Sequence, residues 1–248
     1  MRLAEPSLLA ATKKLYFYKL KAYANWLLIF IMVQIGIFLL SAFANLSPMS
    51  GTAAYGSGLI ASYTTVSANI TIVIAISLLT GVGILLTTKK YKLCELPLAA
   101  NNTAGVLSDM SILVTASIFA GITSVLSGIT FRIFVYFEFD NTIVITNDIL
   151  LPLSDLGLGI ISTSLYILIF SALGYFIGTL AQKGALYLIM AFAVYFCAIR
   201  MYPESTGAMI EFIHTETSAL LFTLKVILYV AVLFVSSLIL AQRTEVGK

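Results

Sequence analysis

KKYKLCELPLAANNTAGVLSDM, residues 89–110, is a short polar and basic island between two long apolar runs. Lys89, Lys90 and Lys92 arrive as the run Leu59–Leu86 ends, and the chain turns apolar again near Val106. Between them stands Leu93-Cys94-Glu95-Leu96-Pro97-Leu98. Leu93 and Leu96, three residues apart, fall on one side of a short helix, which Pro97 stops or bends. A loop that only reversed the chain at a membrane surface has no need of that apolar face. The pattern predicts a surface helix that docks onto something outside the membrane. The plainer alternative is a loop helix lying on the surface with no partner.

The runs on either side set the class. Apolar residues make up 60% of the 248 and charged residues 10%, and mean hydropathy is +1.03. Soluble domains carry about 25% charged residues, and a soluble core of this length cannot absorb so much apolar surface. The solvent is therefore largely lipid. The expected fold is an all-α polytopic membrane protein forming a single transmembrane domain over residues 1–248.

Apolar runs at about 26–44, 59–86, 106–130, 156–180, 185–199 and 219–240 predict six transmembrane helices. Ala42-Phe43-Ala44 resembles a signal-peptidase site, but the run before it exceeds the roughly 7–15 residues of a signal peptide and is kept as a span. Residues 1–23 interleave Lys13, Lys14, Lys19 and Lys21 with Leu8, Leu9, Leu15, Tyr16 and Leu20. That interleaving predicts an amphipathic interfacial helix on an anionic leaflet, with Lys13, Lys14, Tyr16 and Lys19 meeting membrane lipid. A plain basic flank that only sets orientation is the competing reading.

Two outer segments are expected, 131–150 and 201–218. In the first, Ile133, Val135, Phe137 and Phe139 alternate, and Asp140-Asn141 offers a turn before Thr142–Thr146. That reads as a β-hairpin, against a bent continuation of the third span. Charge supports the topology. Of the 14 basic residues, all but Arg132, Arg200 and Lys225 fall on the side of the two termini. Of the 11 acidic ones, only Glu5, Glu95, Asp109 and Glu245 do. The basic excess marks the cytoplasmic face of a cell membrane, with both termini inside.

Most enzyme classes find no footing. One histidine, His214, builds no histidine metal cluster, and no metal site is expected. The motifs H-E-x-x-H, G-x-S-x-G, C-x-x-C and the phosphate-cradling Walker loop are missing from the sequence. Cys94 and Cys197 fall on opposite faces, so no disulfide is expected. Asp109 and Asp155 sit at span edges, where solvation is cheap, and no span carries a central carboxylate of the kind ion-coupled carriers use.

The island resembles the cytoplasmic coupling segment of type-2 ABC exporter permeases: a basic flank followed by Leu-x-x-Leu-Pro. The match is carried by Lys89, Lys90, Lys92, Leu93, Glu95, Leu96 and Pro97. The arginine that follows in that family has no counterpart, and Asn101 and Asn102 stand nearby instead. The interfacial N-terminal helix, six spans, internal termini and longer outer segment before the last span are also similar to that architecture. The resemblance implies that residues 88–105 form a coupling helix that plugs into a cytoplasmic ABC ATPase subunit. That partner would bind ATP and Mg, while this chain carries no cofactor. A second permease chain, identical or a sister, would complete the transporter, and nucleic acid is not an expected partner. The implied cargo is a hydrophobic or amphipathic substrate, foremost a peptide, as in phenol-soluble modulin-like export. A non-catalytic immunity or scaffold protein is the alternative from another class.

Overall fold

The computed structural model describes residues 8–43, 48–55, 59–66, 69–88, 91–92, 102–138, 153–184 and 218–243, with 186–187, 189–190, 193 and 200 as short pieces. In chain order the elements are α1 (Leu8–Ala22), α2 (Ala24–Phe43), β1 (Pro48–Tyr55), β2 (Leu59–Val66), α3 (Asn69–Leu86), α4 (Asn102–Glu138), α5 (Leu153–Lys183) and α6 (Ala219–Arg243).

Among the described residues three helical stretches are long and apolar enough to cross a membrane: Thr103–Phe131, Leu153–Lys183 and Ala219–Ala241. A fourth candidate appears if α1 and α2, which meet at a 45° bend, count as one span. The chain is thus a membrane protein of three to four candidate spans. The sequence expectation of six spans is not met by the described helices. α3 is apolar but short, and the expected fifth span, 185–199, lies mostly outside the described residues. Outward leucines on α6, such as Leu220, Leu224 and Leu228, are more than half exposed, as suits a helix whose solvent is lipid.

Two corrections come from local sequence. The expected second span, 59–86, is helical only from Asn69. Its first part is β2, which pairs antiparallel with β1 from Pro48↔Val66 to Tyr55↔Leu59, so the expected second span is corrected at its start while the class stays helical. Tyr63, Thr64, Thr65 and Val66 are β-branched or aromatic, which suits a strand. Conversely, the hairpin expected over 131–148 is helix through Glu138. Phe131 and Phe134, one helical turn apart, both approach Phe38 of α2 edge-on, with centroids 6.0 and 5.9 Å away. The period of three that they share wins over the apparent alternation. Residues 139–148 are outside the described set.

α5 is the hub, lying against α3, α4 and α6. Its buried row Ser164, Ile167, Ser171, Gly174, Tyr175 and Gly178 repeats at helical spacing. Lipid gives helices little hydrophobic reason to associate, so close backbone approach has to supply the contact. A Cβ on Gly83 of α3 would meet Tyr175 N at 2.9 Å, and one on Gly121 of α4 would meet Ser164 Cα at 2.9 Å. Small hydroxyls bridge the same contacts, with Ser117 and Ser171 Oγ atoms 3.4 Å apart. Further along α4, Gln34 of α2 donates to Ser124 Oγ at 3.0 Å. The starts of α2 and α4 and the ends of α3, α5 and α6 meet at one end of the bundle, where Leu86, Val106, Leu113, Tyr175 and Ala241 cluster with Tyr23 packed on them.

Candidate functional site: an apolar cleft and a buried ion pair

At that end α1 turns away from α2 at Tyr23 and lies along α4. The sequence places Leu15, Lys19 and Tyr23 four residues apart on one row, so Lys19 stands on the apolar face of its helix. The structure buries it: Lys19 is 1% exposed. Its Nζ donates to Asp109 Oδ1 at 2.6 Å and to the Gly105 carbonyl at 3.4 Å, both on α4. Asp109, also 1% exposed, accepts a second bond on Oδ2 from the Tyr175 hydroxyl of α5 at 3.2 Å. One carboxylate thus joins three helices.

This overturns two expectations. Lys19 does not face lipid headgroups, because a buried carboxylate competes for it. Asp109 does not enjoy cheap solvation at a span edge, because α1 and α5 cover it. Lys13 and Lys14 are exposed, as an interfacial face requires, whereas Leu8 and Leu9 of the expected apolar face are exposed too. Tyr16 is half-buried and points its side of α1 into a cleft.

The cleft encloses about 500 Å³, inside the roughly 300–1,000 Å³ of small-molecule sites. α4 forms its floor through Ile112, Ala116 and Phe119, while α2 and α3 form its walls. Tyr16 and Leu20 of α1, the bend residue Tyr23 and Tyr91 close the end nearest the ion pair. Ser77, Thr115 and the tyrosine hydroxyls are the polar groups in an otherwise apolar lining. Trp26, the one tryptophan of the chain, lines it and is 42% exposed, so the cleft is open at that residue. Such a surface suits an apolar chain or the greasy face of an amphipath.

Of residues 89–101 only Tyr91 and Lys92 are described, as helix. Tyr91 packs on Tyr23 with ring centroids 5.8 Å apart, and Lys92 Nζ donates to Gln182 Oε1 at the foot of α5, 3.1 Å away. Lys89, Lys90, Leu93, Glu95, Leu96 and Pro97 lie outside the described residues. Lys92 and Lys19 are therefore the two proposed site lysines that the structure brings to the same end of the bundle. Asp109 and Tyr175 were missed by sequence reasoning. A lone acid eight residues into an apolar helix and a lysine on a leucine row were the legible signals. Among the described residues no group of three or more His, Cys, Asp or Glu gathers to hold a metal.

No protein-family model, no curated protein and no solved structure matches the chain.

Proposed function

We propose that the chain is the transmembrane subunit of an ATP-driven exporter, moving a hydrophobic or amphipathic substrate, foremost a peptide, out of the cell. The observation that carries this reading is the position of the cleft: an apolar site open at Trp26 whose closed end is made by Tyr91, one residue from Lys92 of the basic island. Cargo of this chemistry partitions into the membrane and enters such a site sideways. The sequence holds no loop to cradle ATP phosphates, so work has to come from a partner ATPase that binds ATP and Mg. The island, with its lysines and Leu93, Leu96 and Pro97, is the surface offered to that partner. Apolar anchors give such an interface its affinity and charges its orientation. The lysine-rich end is then cytoplasmic, in a cell membrane, and a second permease chain faces this one.

Tagged chain purified in mild detergent is expected to bring down a nucleotide-binding subunit whose ATP hydrolysis rises when an amphipathic helical peptide is added. Leu96→Asp removes an apolar anchor, a loss of about 2 kcal/mol or more at an interface hot spot, so partner recovery should fall at least tenfold. A chain that purifies without an ATPase, or a Leu96→Asp variant that binds and stimulates it like wild type, would overturn the reading.

A further inference from the structure

Tyr175 is fixed on several sides. Its ring stands edge-on to Phe234 of α6 with centroids 6.5 Å apart, and its backbone nitrogen lies within reach of Gly83 on α3. Asp109, bonded to it, belongs to the same rigid centre. α1 is different. It lies at the margin of the bundle, leans on α4, and joins α2 through a 45° bend at Tyr23. The ion pair is a buried polar tie between this outlying helix and the centre. The same helix and its bend contribute Tyr16, Leu20 and Tyr23 to the closed end of the cleft. Any swing of α1 about Tyr23 therefore changes the cleft.

We propose that Lys19, Asp109 and Tyr175 form a latch that holds α1 bent against α4 and thereby sets the width of the cleft, a regulatory role that rests on reading the cleft as the cargo entry. A latch must hold without being irreversible, and a buried ion pair has that character. The attraction of its partners is largely offset by the water each has given up. Released Lys19 regains hydration by extending its long stem to the membrane surface. The charge of Lys92 also bears on the Asp109 carboxylate, so the acid keeps a cation near it when α1 leaves. Because Lys92 belongs to the island, a partner that pulled on the island would shift this balance.

The test uses the full chain in vesicles of phosphatidylcholine and phosphatidylglycerol with brominated acyl chains, and needs neither ATPase nor cargo. Two signals are read: hydrogen exchange over residues 8–22, and bromine quenching of Trp26, which has no other tryptophan to obscure it. Asp109→Asn is expected to speed exchange in 8–22 on the order of tenfold, as a local opening does, and to raise Trp26 quenching, with α5 still protected. The reversed pair, Lys19→Asp with Asp109→Lys, is expected to return both signals toward wild type. Wild-type exchange and quenching in Asp109→Asn, with α5 protected, would refute the latch. If Asp109→Asn loses protection throughout, Lys19→Gln takes its place, since it leaves the acid with Tyr175 and Lys92; the same two outcomes then decide. Because these signals need no motor, failure to recover an ATPase leaves the latch standing as a device of the cleft. A refuted latch leaves the partner experiment untouched.

Discussion

Gly174→Leu is expected to lower the thermal midpoint of the detergent-purified protein by roughly 6–12 °C. The wall it meets is backbone: a Cβ at Gly174 runs into the Thr80 carbonyl of α3 and stands 3.1 Å from Thr80 Cα. One turn on, a Cβ at Gly178 would stand 3.1 Å from Ile84 Cα. Neither helix can turn a side chain aside to make room, so α3 and α5 have to separate along their shared face. Overpacking of this kind costs about 3 kcal/mol at the upper end of its usual range, and each kcal/mol moves the midpoint about 2–4 °C in a chain of this size. Gly157→Leu is the control, because that position on the same helix has nothing within 4 Å and should melt close to wild type. If both variants melt with wild type, α3 and α5 do not pack as described.

Asp109→Leu is expected to destabilise the closed form, with α1 against α4 and Lys19 buried, by about 3–5 kcal/mol, the cost of leaving a buried charge without its partner. Lys19 loses its 2.6 Å contact and the Tyr175 hydroxyl loses an acceptor. Lys19→Met in the same molecule should recover most of that loss, because an apolar pair of similar size restores the packing and removes the stranded ammonium. Denaturant titration of the two single variants and the double closes the cycle. A double variant as unstable as Asp109→Leu alone would show that the ion pair does not couple α1 to α4.

The membrane class was legible because apolar length and scarcity of charge are properties of composition, which burial cannot hide. α4, α5 and α6 were legible for the same reason. Pattern misled where tertiary contact decides. Leu59–Val66 looks like the start of an apolar span, yet its β-branched and aromatic residues pair with Pro48–Tyr55. Ile133 and Val135 alternate like a strand, yet Phe131 and Phe134 share a helical face against Phe38. The cleft was not legible at all, since its lining comes from α1, α2, α3, Tyr91 and α4. The ion pair was half legible. Lys19 stands on a leucine row, and Asp109 interrupts an apolar helix, but nothing local to either names the other.

That distance in sequence has a consequence for how the protein is made. Lys19 and Asp109 are 90 residues apart, and Tyr175 comes 66 residues after Asp109. At about 5–20 residues per second of synthesis, the N-terminal helix is finished many seconds before its carboxylate and phenol have left the ribosome. Until then Lys19 has no internal carboxylate to meet. Its docking thus follows the synthesis of α4, and a truncated chain ending before α4 would lack the carboxylate that Lys19 meets.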